Sequence, residues 1–376
     1  MTNEELQKEM IAAMKAKDKV RLSIIRQVKA EVKNIEVNER RDVTEEDVNS
    51  MIKRLIKQTS ETKARSRSGK KLQPTTLEKR GRSPVPRNPK QTHMEIKSLE
   101  NTCFGTLFEA FGQAFADYEV QLDETQLRRM LRRRGFDPRL SFAAFDGERI
   151  AAFTLNGRGN FNGLPTAYDT GTGTLEAYRG QGLAAKVFEH SIPYLREAGI
   201  RQYLLEVLQH NTKAVSVYRK LGFETAREFN YSIQQGAHVH LGAKIPDIAC
   251  TVTPVDVGRF APDPQFWDFM PSWQNSPEAI RRAAGDFAGL SARAEGTQVG
   301  YCIFEPASGD IALIAVDKRY RRRGIATSLL REALRLNKAD SVKAINTEAG
   351  CESLTAFLEA ANIAVTGRQF EMVKKI

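Results

Sequence analysis

Arg179-Gly180-Gln181-Gly182-Leu183-Ala184, at the centre of the stretch Thr174 to Phe223, decides how this chain folds. Before it, a strand-like run ends in Gly171-Thr172-Gly173-Thr174-Leu175. After it, Leu183, Val187, Phe188, Ile192 and Leu195 recur at helical spacing. A strand therefore stops, a glycine-bearing turn follows and a helix begins. That order aims main-chain N–H groups at one spot, at the positive end of a helix dipole, and such a nest holds an anion, most often phosphate. Gly180 and Gly182 allow unusual dihedrals and close approach of a ligand. A second strand-like run, Tyr203 to Val207, leads to Asn211. Ala214, Val215, Tyr218 and Leu221 then mark a helix stopped at Gly222, before Phe223.

Taken in order, Arg179-x-x-Gly182-x-Ala184, Leu205-Glu206-Val207, Asn211-x-x-Ala214-x-x-x-Tyr218 and Leu221-Gly222-Phe223 resemble the GNAT N-acetyltransferases. The resemblance implies an α/β (α+β) fold around a mixed sheet. It implies acetyl-CoA as co-substrate, no metal, and direct transfer in a ternary complex to a primary amine on a small molecule or peptide. Carried over residue by residue, it sets the pyrophosphate on the amides of Gly180, Gln181, Gly182, Leu183, Ala184 and Ala185, behind Arg179. The oxyanion donor would be a main-chain N–H near Thr174 or Leu175. Tyr218 is the candidate acid for the departing thiolate, against the plainer reading of a core tyrosine with a satisfied hydroxyl. Asn211 fixes the splayed strand end or a pantetheine amide. The base stays open between Glu176, Glu206 and a water relay.

The same order recurs one domain length later: Leu290 to Ala294, the turn Glu295-Gly296, Val299 to Phe304, Ile311 to Val316, then Arg321-Arg322-Arg323-Gly324-Ile325-Ala326 and the stripe Leu329, Leu330, Ala333 and Leu336. We expect two GNAT-like mixed-sheet domains in tandem, residues 94–236 and 237–376, the second degenerate. Arg321, Gly324 and Ala326 keep a phosphate nest. Asn346 ends a strand-like run, Phe357 stands where the first copy has Tyr218, and Ala361-Asn362 replaces Gly222-Phe223. A phenyl ring donates no proton, so the second copy binds an acyl-CoA without the usual acid. The competing reading makes the whole chain a non-catalytic acyl-CoA sensor or adaptor linked to tRNA amidotransferase-type partners.

Other segments are less specific. In the first copy a helix carries Phe104, Leu107, Phe108, Phe111 and Phe115. A second, Thr125 to Arg134, gathers Arg128, Arg129, Arg132, Arg133 and Arg134 towards its end, as a solvated face or as a field steering an anionic cofactor. Leu140 to Phe145 and Arg149 to Leu155 read as a hairpin, followed by a Gly- and Asn-rich loop, Asn156 to Gly163. In the second copy the aromatic stretch Phe260 to Trp273 reads as core or as substrate wall.

Residues 1–63 read as three helices of a small all-α segment. Arg21-Leu22-Ser23-Ile24-Ile25-Arg26, Ala30-Glu31-Val32-Lys33-Asn34 and Thr44-Glu45-Glu46-Asp47-Val48 resemble the start of a GatB/YqeY-type domain, which implies a tRNA or amidotransferase contact. The pattern breaks near Thr59, before that family's second helical half. Residues 64–93 hold nine Lys or Arg against one acid, Glu78, with no apolar period, and read as a disordered linker. Most of the net charge of +11 lies there, so the high pI describes a tether more than a binding face. The apolar content of 41% fits soluble globular domains. Cys103, Cys250, Cys302 and Cys351 are too dispersed for a disulfide framework or zinc site. No apolar run reaches membrane-spanning length, and a cytoplasmic location is the default expectation.

Overall fold

In the computed structural model, which describes residues 94–117, 121–242 and 247–376, two lobes of the same plan share one twelve-stranded sheet. The helices read over 1–63 and the linker read over 64–93 lie outside the described residues. The first lobe runs β1 (Glu95–Ser98), α1 (Phe104–Ala114), α2 (Glu124–Arg134), β2 (Phe142–Asp146), β3 (Arg149–Phe161), β4 (Leu164–Thr174), α3 (Leu183–Glu197), β5 (Gln202–Leu208), α4 (Thr212–Lys220) and β6 (Glu224–Gln235). The second runs β7 (Thr251–Val255), α5 (Pro277–Arg282), β8 (Ala288–Ala294), β9 (Thr297–Glu305), β10 (Asp310–Val316), α6 (Ile325–Arg335), β11 (Ser341–Glu348), α7 (Glu352–Ala360) and β12 (Val365–Lys375). The signature loop of each lobe lies between a long strand and an amphipathic helix, as its sequence requires. The inward stripe of α3, Leu183 and Val187, packs on Phe142, Ala144 and Ala152. Ile325, Leu329, Leu330 and Ala333 of α6 are likewise buried.

The sheet order is β1-β2-β3-β4-β5-β12-β6-β11-β10-β9-β8-β7. β5 does not pair with β6, the strand that follows it. It pairs antiparallel with β12, from Gln369 opposite Leu208 to Lys375 opposite Gln202. In turn β6 pairs with β11, from Ser341 opposite Gln235 to Glu348 opposite Phe229, and β6 and β12 lie side by side. Each lobe thus lends its last strand to the other. The side chains follow: Met372 is buried, with Phe370 and Ile376 against it, among Tyr203, Leu205, Val207 and Phe223 of the first lobe.

Two expectations are corrected. The Gly- and Asn-rich segment 156–163 is a continuation of β3, not a loop; the chain turns only at Asn162-Gly163, whose φ of 53° and 78° is the left-handed pair that a two-residue hairpin needs. Gly157 sits there because a Cβ would lie 2.1 Å from the Arg134 carbonyl oxygen. The arginines of α2 divide: Arg128 and Arg132 stay exposed, as a solvated face requires, while Arg133 and Arg134 turn into the protein rather than towards a cofactor. Arg132 pairs with Asp286 at 2.6 Å. Arg133 is buried and donates to Asp310 at 2.8 Å, to the Asn275 side chain at 2.6 Å and to the Gln274 carbonyl at 2.8 Å. Arg134 reaches the Gln274 side chain and the Thr170 carbonyl. Beside them Trp273 is buried, stacks on Tyr168 with ring centroids 5.2 Å apart, and donates its indole N–H to the Arg134 carbonyl at 3.0 Å. The aromatic segment of the second lobe is therefore wedged against the first.

Removing one partner of a buried ion pair leaves an uncompensated charge, at a cost of about 3–5 kcal/mol. Arg133→Ala is expected to lower the unfolding free energy by about 3 kcal/mol in chemical denaturation. Arg128→Ala, which breaks an exposed pair with Glu124 and a cation–π contact with Phe104 at 3.6 Å, shifts it by only about 1 kcal/mol.

Candidate active site

β4 and β5 run parallel with registered pairs only at Thr166–Gln202, Ala167–Tyr203 and Tyr168–Leu204. Just beyond, at Thr170, β4 carries a bulge: Leu155 of β3 faces Gly171 and Asn156 faces Asp169. The strands then part into a fork. The far end of the fork is the signature loop. Gly180 and Gly182 have φ of 80° and 71°, and α3 starts at Gly182 without a side-chain cap. Open space surrounds the position of a Cβ on either glycine. An uncapped helix start beside two left-handed glycines is suited to an anion.

Arg179 does not face that spot. Its guanidinium donates to the Thr174 carbonyl at 3.3 Å, the Ala114 carbonyl at 3.1 Å and the Asp117 carboxylate at 2.7 Å, so it clamps the loop to the strand end and to α1. Arg321 repeats the clamp on Val316, Phe266 and Asp268. These matching bonds set the internal alignment: Thr174 corresponds to Val316, and Gly180 to Arg322, which holds a left-handed φ of 65°. Such a conformation is disfavoured for arginine by about 1–2 kcal/mol, so the loop shape is imposed rather than inherited from glycine. Gly324 starts α6 uncapped at φ 85°, and Ala326 follows in its first turn.

The Leu175 amide is buried and donates to the Ala151 carbonyl at 3.0 Å, which removes it as an oxyanion donor. Amides alternate between the two edges of a strand, so the Thr174 amide faces away from β3. Asn211 is the N-cap of α4, its side chain accepting from the Ala214 amide at 3.2 Å. Glu176 is exposed on the turn after β4, whereas Tyr218 meets Asp169 at the other end of the fork; the structure separates these two. The Tyr218 phenol donates to Asp169 Oδ2 at 3.1 Å. Asp169 also accepts from the Thr172 hydroxyl at 2.8 Å and the Gly171 amide at 2.9 Å. Burial raises its pKa, against the pull of those donors. The sequence reading missed this residue. Glu206 accepts from the Tyr168 phenol and from Asn346 Nδ2 of the second lobe, and burial pushes its pKa up to about 7.

The second fork differs. β10 repeats the bulge at Ala312, but a cavity of about 400 Å³ opens between β10 and β11, lined by Phe266, Trp267, Ile314, Leu354 and Phe357 among others. The aromatic segment is thus both core and cavity wall. Asn346, at the edge of this cavity, has φ 61° at a bulge of β11. The counterpart of Tyr218 is Leu358 and not Phe357. The bond from Phe223 N to Tyr218 O recurs as Ile363 N to Leu358 O, and Gly222 is matched by the left-handed Asn362. The counterpart of Asn211 is Cys351, the N-cap of α7, rather than Asn346.

Residues 96–223 match the GNAT acetyltransferase family model and residues 287–364 a GNAT acetyltransferase domain model, while residues 3–72 match the Yqey-like protein model. The chain carries two GNAT domains in tandem behind a YqeY-like segment. Among curated relatives, a mycothiol acetyltransferase of Catenulispora acidiphila is 31% identical over 120 residues, 31% of this chain and 38% of that protein. N-alpha-acetyltransferase 30 of Schizosaccharomyces pombe is 30% identical over 87 residues, 23% of this chain and 58% of that protein. The chain thus spans less than two thirds of the length of these relatives. A tandem GNAT protein from the clavulanic acid biosynthesis pathway shares the fold with a TM-score of 0.57 at 12% identity, over 75% of this chain and 98% of that one. A GCN5-related N-acetyltransferase from Sphaerobacter thermophilus does so at 0.55 and 15% identity, over 75% and 95%. The GNAT match supports acyltransferase activity. No helix among the described residues is long and apolar enough to cross a membrane.

The raised Glu206 pKa gives a pH signature. The folded state holds this proton more tightly than the unfolded chain, whose value is near 4.5. Its contribution is therefore present at low pH and is lost as pH rises from about 4.5 through about 7. Glu206→Gln is expected to shrink the loss of stability between about pH 5 and pH 8.5 by about 2 kcal/mol, measured as the difference in denaturation free energy at the two pH values.

Proposed function

We propose that this protein is an N-acyltransferase that moves an acetyl group from acetyl-CoA directly to a primary amine, with the chemistry in the first lobe. The observation that carries the reading is the placement of Tyr218. Its phenol lies in a fork whose other end is an uncapped, glycine-led anion nest, whereas the second lobe has the nest but puts Leu358 at that position. In this reading the amides from Gly180 to Ala185 hold the diphosphate and the pantetheine arm lies along β4. The amine attacks the thioester carbonyl, the carbon–sulfur bond breaks, and Tyr218 gives its proton to the thiolate. The main-chain N–H groups of β4 that face the fork supply the oxyanion donor, with Thr174 nearest the nest. The second lobe, with Gly324 and Ala326 at its nest, Arg321 clamping the loop beneath it and an apolar cavity behind, holds an acyl-CoA without turning it over. The acceptor is a small molecule or peptide amine; the relatives carry names of both kinds.

Thiol release from acetyl-CoA across a panel of amines tests the reading. Gly182→Asp puts a carboxylate at the nest and is expected to lower kcat/KM by more than about 100-fold. Tyr218→Phe lowers kcat by about 10- to 100-fold with little change in KM. Calorimetry finds one coenzyme equivalent fewer in Gly182→Asp and in Gly324→Asp than in the parent. Turnover that survives Gly182→Asp but is abolished by Gly324→Asp moves the chemistry to the second lobe.

A further inference from the structure

We propose that Asp169 is the base of the first lobe and that it works as one unit with Tyr218: it takes the proton of the attacking amine and restores the proton that Tyr218 gives to sulfur. The inference rests on the acyltransferase reading above and names a residue which that reading leaves out.

Three observations carry it. The first is position. Asp169 is the first residue of β4 beyond the last parallel pair with β5, so its carboxylate stands where the fork opens. From Asp169 to Thr174 the strand runs about 17 Å towards the nest, at about 3.3 Å per residue. That is the reach of an extended phosphopantetheine arm, so a thioester whose diphosphate sits on Gly180 to Ala185 ends beside Asp169 and Tyr218. The second is contact. The phenol and the carboxylate are already joined at 3.1 Å, while Thr172 and the Gly171 amide hold the carboxylate against its own strand. The third is internal comparison. In the second lobe the counterpart of Asp169 is Ile311, aligned by the arginine clamp and the bulge, and the counterpart of Tyr218 is Leu358. Both members of the pair are replaced together by apolar residues, in the lobe that keeps the loop, the clamp and the bulge. A carboxylate that served only to brace the bulge would be needed there too, since β10 carries the same bulge at Ala312.

The proton account closes. The amine nitrogen bonds to the carbonyl carbon and loses a proton to Asp169. The carbon–sulfur bond breaks and the thiolate takes the Tyr218 proton. The tyrosinate then recovers a proton from the Asp169 carboxyl across their hydrogen bond. The net result is amide and free thiol, with both side chains returned to their starting state. Other titratable groups act on Asp169 from each side: Tyr168 on β4, Tyr203 on β5, Tyr218 on α4 and Arg134 at the end of α2. Burial raises the Asp169 pKa, while the Tyr218 bond and the Arg134 charge lower it.

The test is a double-mutant cycle on the full chain, read as thiol release with acetyl-CoA and an amine that the parent acetylates. Asp169→Asn keeps a hydrogen-bond acceptor for Tyr218 but takes no proton. It is expected to lower kcat about 100-fold or more, with KM for acetyl-CoA within about twofold and the acidic limb of the kcat/KM profile lost. Tyr218→Phe removes a donor that favours the charged carboxylate, so its acidic limb moves to higher pH, a readout that stands even if the Asp169→Asn variant does not fold. Asp169→Asn combined with Tyr218→Phe is no slower than the slower single variant. A rate within about threefold of the parent in Asp169→Asn, an unmoved acidic limb in Tyr218→Phe, or multiplicative losses in the double variant overturns the pairing alone. No thiol release by the parent with any amine overturns the acyltransferase reading and the pairing with it.

Discussion

The exchange of β6 and β12 is the constraint on which both forks depend. A strand buried in a sheet must satisfy its amides and carbonyls along its length. β5 has registered pairs with β4 at only three positions, and the rest of its pairing comes from β12, along seven. β12 thus covers the edge of β5 that faces away from β4 along the whole strand, fork included. β6 does the same for β11, which is registered with β10 only at Asp310 and Lys343. The far edge of each lobe's splayed strand is covered by a strand that belongs in sequence to the other lobe.

On this shared frame the two forks have diverged in polarity. The first holds side chains joined by hydrogen bonds: Tyr168 to Glu206 and Tyr218 to Asp169. The second is walled by Ile314, Leu354, Phe357 and the aromatic segment from Phe266. Glu206 and Asn346 occupy matching positions on β5 and β11, because the bond from Asn211 N to Leu208 O at the end of one strand recurs as Cys351 N to Glu348 O at the end of the other. They meet at 3.2 Å where the lobes join. The polar network of the first fork thus ends on the wall of the second, at Asn346, whose φ of 61° is left-handed.

The parts of this fold that are legible in the sequence are the local ones. Glycines at 180 and 182, the periodic stripe from Leu183 and the repeat at Arg321 each state their own conformation. What the sequence hides is set by distant partners or by substitution of kind. Arg133 looks like a helix-end cation until Asp310 and Asn275, 177 and 142 positions away, are brought against it. The register of α7 is obscured because Asn362 takes the left-handed role that Gly222 has in the first lobe; asparagine tolerates that region, but it carries no flag comparable to Gly-Phe. Asp169 is hidden for another reason. It is one acid in a strand that alternates freely, and only the bulge at Thr170 and the loss of β5 beyond Tyr168 make it the residue at the opening.

Exchange of the last strands also ties the second lobe, which has Leu358 where the first has Tyr218, to the first. Were the lobes joined only by a linker, the second could drift in sequence or disappear without consequence for Tyr218 and Asp169. Because Met372 is buried in the first lobe's core and Glu371 is buried in a pair with Arg227 of β6 at 2.7 Å, removing β12 would strip β5 of its main partner. The second lobe must therefore fold in full to deliver that one strand. Its loop clamp, bulge and helix start are retained with it, while Ile311 and Leu358 are buried in the apolar core of the second lobe, at the wall of its cavity.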